Sequence, residues 1–152
     1  MKILFIITSY KRLEMLKNLL VQLKGHDIIV FDDNSDFLIE GNGLIFHKFK
    51  ENYGKKLAWI KFQKIFKKVK KMKKYDYYFM LPDDVEICED FISKSIELWE
   101  GIKDDKKISL SFSNPSRCKV SQFTMVEPKD VGDVILTGWY DMMGLFTRDF
   151  IN

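Results

Sequence analysis

The stretch KILFIITSYKRLEMLKNLLVQLKG, residues 2–25, decides how the rest of the chain is read. Residues 2–8 form an unbroken apolar run rich in Ile. A strand buried on both faces has this pattern, whereas a strand with one wet face alternates. Ser9, Tyr10 and Lys11 break the run. Leucines at 13, 16, 19, 20 and 23 then fall on one helical face. Gly25 stands where a helix stop is expected. Together these make one strand–helix unit.

The unit repeats outward. Residues 27–31 read as a second buried strand, closed by the turn chemistry of Asp32, Asp33, Asn34 and Ser35. Residues 44–48 give a short third strand after Gly41-Asn42-Gly43. Residues 55–74 predict a long helix with Ala58, Phe62, Ile65, Val69 and Met72 on its apolar stripe. Residues 77–81 predict a fourth strand, stopped by Pro82 and Asp83-Asp84. An amphipathic helix over 91–102 and a fifth strand over 108–112 follow. Residues 114–131 hold two of the three prolines and no clear period, so they read as a loop or excursion. Residues 134–136 and 143–147 read as short strands around Gly138-Trp139-Tyr140-Asp141. Strands alternating with helices predict an α/β fold, Rossmann-like, with a mainly parallel central sheet and flanking helices. Ligands of such sheets bind at the carboxyl ends of the strands.

Composition narrows the function classes. The 152 residues fit a single domain over 1–152 with a proper core. With 46% hydrophobic and 31% charged residues, disorder is excluded as the dominant state. A net charge of +3 does not call for a nucleic-acid partner, and none is expected. Cys88 and Cys118 are too few for a disulfide framework and suit a reducing compartment, as buried thiols. The apolar N-terminal run is too short for a signal peptide, and no run is long enough to span a membrane. A cytoplasmic location is expected.

Three strand ends carry polar chemistry. Asp83-Asp84 follows an apolar strand, and adjacent acids stay ionised only where a cation or donors offset them. A divalent ion with phosphate oxygens would do so, because Mg²⁺ takes few carboxylates plus substrate phosphates. The doublet serves equally as turn punctuation. Asp32 and Asp33 could accept from a ribose hydroxyl or a base, or close an Asx turn. Thr8 and Ser9 offer hydroxyls to a phosphate or nucleoside, and Tyr10 offers a stacking ring. No P-loop or GxGxxG occurs. Lys55 and Lys56 oppose the helix dipole at the start of their helix, which suits an anion such as diphosphate there or, equally, a solvated first turn. Lys61, Lys64, Lys67, Lys68, Lys70, Lys71, Lys73 and Lys74 make that helix's polar face basic: a solvated face, or a peripheral contact with anionic lipid over 61–74. His26 and His47 are isolated and suggest no zinc site.

Taken in order, these segments resemble a GT-A glycosyltransferase, most like family 2. ILFIITSYKRLEMLKNLL resembles that family's first strand, Thr-Ser-Tyr loop and first helix. IIVFDDNSD resembles the second strand and its nucleotide-contacting acid. ENYGKKLAWIKFQKIF resembles the Asn-x-Gly segment and next helix, and YDYYFMLPDDVEICEDFISKSIELW the metal-binding strand end. The last segment is also similar to N-acetylglucosaminyltransferases with a Glu-Asp-Asp motif.

The resemblance covers residues 1–100 best. It implies a nucleotide-sugar-binding half over 1–100 and the start of an acceptor half over 101–152. It implies transfer of a sugar, hexosyl or N-acetylhexosaminyl, from a UDP- or GDP-sugar to a hydroxyl of a glycan, lipid or protein, with inversion. Thr8, Ser9, Tyr10, Arg12, Asp32 and Asp33 would line the nucleotide site, with Asp33 near the base. Lys55 and Lys56 would meet the diphosphate. Asp83 would approach the ribose or sugar, and Asp84, with Asp83, would hold Mn²⁺ or Mg²⁺. The family motif is often Asp-x-Asp; here Pro82 takes the first place. TGWYDMMGLFTRDFIN resembles the acceptor region, with Trp139 and Tyr140 as acceptor contacts. Either Asp141 is the general base, or the base lies in a segment this chain lacks, as in a minimal or truncated domain.

Two other readings stand beside this one. A catalytically inactive nucleotide-sugar- or membrane-binding module is compatible with the missing base and the basic helix. A Mg²⁺-dependent phosphotransfer protein of haloacid-dehalogenase or receiver type is suggested by VFDDNSD. Such proteins place an acid at the end of the first strand, where this chain has Thr8-Ser9-Tyr10.

Overall fold

In a computed structural model of the chain, the described residues are 1–72, 74–104, 107–112, 129–131, 134–136 and 143–151. Strand β1 (Ile3–Ser9), helix α1 (Leu13–Gln22) and strand β2 (Asp27–Asp32) form the first unit. Strand β3 (Leu44–Lys48), helix α2 (Ala58–Val69) and strand β4 (Tyr77–Pro82) form the second. Helix α3 (Phe91–Gly101) leads to β5 (Ser109–Ser111). Strands β6 (Lys129–Val131) and β7 (Val134–Leu136) pair with each other as a separate ribbon. Strand β8 (Gly144–Phe146) and the short helix α4 (Arg148–Ile151) follow.

The main sheet has six strands in the order β3-β2-β1-β4-β8-β5. Strands β3, β2, β1 and β4 are parallel. Strand β8 runs antiparallel between β4 and β5. The sheet is therefore mixed, and the expected parallel character belongs to its first four strands. Gly144–Phe146 enters after a long excursion and returns against β4, a direction that a three-residue apolar strand does not announce in sequence.

The unbroken apolar runs split by period two. Leu4 and Ile6 of β1 face a core shared with Ile65 and Val69 of α2 and with Tyr78, Met80 and Phe146. Phe5 and Ile7 face the other core, shared with Leu16 and Leu19 of α1 and Trp99 of α3. Helices thus cover both faces, as the Ile-rich pattern of β1 requires. Each fully buried Leu, Ile or Phe contributes about 1.5–3 kcal/mol by leaving water.

Several boundaries differ from the sequence expectation. Helix α2 spans 58–69 rather than 55–74. Gly54 takes φ +53°, and residues 55–57 form a turn before the helix begins. Lysines in a first turn oppose the dipole, and Leu57 supplies no side-chain cap. At the other end, the Arg148 guanidinium donates to the Lys70 carbonyl at 2.6 Å and closes the helix. Cys88, expected as a buried thiol, is exposed in the turn before α3. The segment expected as a loop over 114–131 ends in strand β6. Cys118, Trp139, Tyr140 and Asp141 lie outside the described residues.

Candidate functional site at the β1–β4 strand ends

Strand order creates the site. From β1 the chain steps outward to β2 and β3, then crosses back to β4 on the other side of β1. Helices α1 and α2 therefore leave the sheet on opposite faces. Between the carboxyl ends of β1 and β4 lies the crevice where parallel α/β sheets bind ligands. Ser9, Tyr10, Arg12, Asp83 and Asp84 are brought together there.

The backbone sets this up directly. Asp83 N–H donates to the Thr8 carbonyl at 3.0 Å, and Asp33 N–H donates to the Ser9 carbonyl at 2.8 Å. Each acid is thus the first residue beyond its strand, still tied to β1. Thr8 is half-buried, and Tyr10 is 38% exposed at the rim.

Asp83 is buried. Its Oδ2 accepts from Ser9 Oγ at 2.8 Å and from the Tyr10 N–H at 3.2 Å. Its Oδ1 carries no hydrogen bond, and its charge neighbour is Arg12 Nε at 3.4 Å. Burial pushes the Asp83 carboxyl above the usual carboxylate range; the Ser9 hydroxyl, the Tyr10 amide and Arg12 pull it back, and the Asp84 charge adds to the rise. Asp84 is exposed and pairs with the Arg12 Nη1. One guanidinium therefore spans both carboxylates.

A second cluster lies at the end of β2. Asp32 is buried and closes an Asx turn: its oxygens accept from the Ser35 N–H and the Ser35 Oγ, both at 2.6 Å. Ser35 Oγ in turn accepts from the Lys11 N–H at 2.8 Å, which joins this turn to the end of β1. Lys11 and Asn34 both hold left-handed backbone, at φ 57° and 66°. Asn tolerates that region, whereas Lys adopts it only where contacts over-determine it. Asp33 is 2% exposed. Its oxygens accept from the Tyr53 N–H at 2.8 Å, the Gly54 N–H at 3.0 Å and Lys61 Nζ at 3.3 Å. The base contact that the resemblance gives Asp33 would have to use its one remaining lone-pair site.

Lys61, expected on the basic face, is instead turned inward against Asp33 with its side chain 16% exposed. Lys64 stacks on the Tyr53 ring at 4.4 Å and donates to its hydroxyl. Lys55 and Lys56 are exposed, and among the described residues neither pairs with Asp83 or Asp84. Ser35, Asn52, Tyr53 and Lys61 are the organising residues that sequence reasoning did not assign. The signal for Ser35 and the 52–54 turn was their place in the quoted motifs. Lys61 carried none, being one lysine among many.

Among the described residues no group of three or more His, Cys, Asp or Glu side chains converges on a point. The chain offers two carboxylates there, one with an unsatisfied buried oxygen. Mg²⁺ or Mn²⁺ takes such a sparse carboxylate set when substrate phosphates and water complete its shell, and here it would have to displace Arg12 from both acids. Also among the described residues, no helix is long and apolar enough to cross a membrane. No family model matches the sequence, and no curated protein matches it.

Proposed function

We propose that this chain is a metal-dependent glycosyltransferase that uses a nucleotide-diphospho-sugar, with a GT-A-like arrangement. The observation that carries the reading is the Asp83-Asp84 doublet at the β1–β4 crevice, where buried Oδ1 of Asp83 lacks a hydrogen bond beside an exposed second carboxylate. The ordered motifs over residues 1–100 add the substrate class.

In this reading Asp84, with Asp83, would hold Mn²⁺ or Mg²⁺. The ion supplies charge neutralisation on the nucleoside diphosphate as it leaves. Ser9 Oγ and the Tyr10 amide hold Oδ2 of the Asp83 carboxylate and leave Oδ1 without a hydrogen bond beside Arg12. Arg12 offers five N–H donors, more than its two carboxylate contacts use, so it can also meet a phosphate oxygen. Tyr10 at the rim gives a face for base stacking. Asp33 holds the 52–54 turn in place, and the exposed Lys55 and Lys56 directly after it would be the diphosphate contacts of this reading. Asp141 would be the candidate base on the acceptor hydroxyl, and Trp139 and Tyr140 the candidate acceptor contacts, as the resemblance implies.

The test is calorimetric titration of UDP and GDP, each with and without Mn²⁺ or Mg²⁺, into the wild type and Asp84→Ala. The expected result is binding that needs the ion and is lost in the variant. Binding with no transfer and no donor hydrolysis would make the chain an inactive binding module. Absence of binding under every condition would overturn the reading.

A further inference from the structure

The residues that open α2 are apolar and face solvent. Leu57 is 45% exposed, Trp59 70% and Ile60 43%. They cannot be serving the core, which α2 reaches through Ile65 and Val69. A Trp left this bare on a helix surface is unusual, because its large apolar ring gains most from burial. Behind this wedge the same surface turns cationic: Lys67 follows Ile60 by seven residues and Lys71 follows Lys67 by four, and both are exposed.

Charge distribution names the partner. Residues 55–74 contain ten lysines and no Asp or Glu. The chain as a whole has 25 Lys+Arg and 22 Asp+Glu, so the remainder holds 15 basic against 22 acidic residues, a net of −7. The near-neutral total conceals an uneven spread of charge along the sequence, and Lys61 of this segment is paired to the Asp33 carboxylate. An extended anionic surface attracts the exposed lysines of this segment. An apolar wedge with an aromatic ring, flanked by lysines, is the chemistry of the lipid headgroup layer, where rings sit at the boundary and lysines meet phosphates. A folded acidic protein would meet the lysines but leave Trp59 and Ile60 without a matching apolar layer.

We propose that the surface formed by Leu57, Trp59, Ile60, Lys67 and Lys71 docks this protein on an anionic lipid bilayer. The surface has a definite orientation. Helix α2 runs from β3 back to the start of the parallel strand β4, so its N-terminus lies at the carboxyl ends of the strands. The wedge therefore lies at the same end of the sheet as the Ser9–Arg12–Asp83–Asp84 cluster. This inference does not depend on sugar transfer and stands or falls separately.

The experiment is flotation of the full chain with phosphatidylcholine vesicles, with and without phosphatidylserine or phosphatidylglycerol. It compares the wild type, Trp59→Ser/Ile60→Ser and Lys67→Glu/Lys71→Glu. All four substituted side chains are exposed, and thermal melts check that each variant stays folded. The expected result is binding to the anionic vesicles only. The double charge reversal should weaken it at least about 25-fold, since each lysine near such a surface is worth about fivefold. High salt should release most of the bound protein. The serine variant should lose binding with its lysines intact, and Trp59 emission should shift blue only in the wild type with vesicles. Equal binding to neutral vesicles, or binding unchanged by both variants, would overturn the proposal. So would tight binding of single-stranded RNA, or self-association through the wedge, without vesicle binding.

Discussion

Asp33 and Asp83 occupy equivalent places and live in different worlds. Each is the first residue beyond a parallel strand, each donates its N–H to a β1 carbonyl, and each is at most 2% exposed. Asp33 receives two backbone N–H groups and a lysine. Asp83 has a hydroxyl and one backbone N–H on a single oxygen, while the other lacks a hydrogen bond. The first carboxylate is spent on holding the 52–54 turn. The second is buried at a cost that the protein itself leaves partly uncompensated. Position in the fold makes an acid available; the number of donors aimed at it decides whether it is structural or open to a ligand.

Substitution should separate the two. Asp33→Asn keeps the shape but sets an amide against donors and leaves Lys61 without its counter-charge, so about 3 kcal/mol of stability should be lost in urea denaturation. Asp83→Asn should change stability by less than about 1 kcal/mol, because it also removes a buried charge. Equal losses would erase the contrast.

Gly54→Ala sharpens it from the Asp33 side. Gly54 sits at φ +53°, and an added Cβ would lie 3.2 Å from Asn52 Oδ1. About 1–2 kcal/mol should be lost, seen as a lower denaturation midpoint.

The smallest effect is on the Asp83 side. Its carboxyl binds a proton more tightly folded than unfolded, so its contribution to stability is greatest when protonated. That contribution is lost as pH rises from the ordinary carboxylate range, about 3.9, through the raised folded value. Stability of the wild type relative to Asp83→Asn should therefore fall as pH rises through that window. Ser9→Ala removes the hydroxyl donor, costs about 1 kcal/mol at neutral pH and moves the window upward. A pH profile unchanged by Ser9→Ala would show that Asp83 is not held as described.

Strands β1, β2 and β4 were legible because burial on both faces leaves no alternation to misread, whereas the edge strand β3, with no fully buried residue, was marked by the glycine turn before it. The strand-end acids were legible for the same reason: a carboxylate after such a run has few places to go. Their different fates were not. The groups that satisfy Asp33 are backbone N–H donors of Tyr53 and Gly54, which no side-chain pattern encodes, and Lys61 is hidden among identical neighbours. The ends of α2 were misjudged because lysine favours helix at any position, whereas the boundary is set by Gly54 at one end and by Arg148 at the other. Strand β8 was expected as a strand, but its insertion between β4 and β5 depends on a return path that three apolar residues do not specify.

That insertion has a consequence for how the protein is made. Among the described residues β5 has no sheet neighbour except β8, and β8 is also what covers β4. A growing chain that has released residue 112 therefore holds a four-stranded sheet with the backbone edge of β4 uncovered. Closure waits for residue 146, about 2–7 s later at ordinary rates of synthesis. During that interval the edge is a template for strands of other chains, so this protein should lean on co-translational chaperones more than its size alone would suggest.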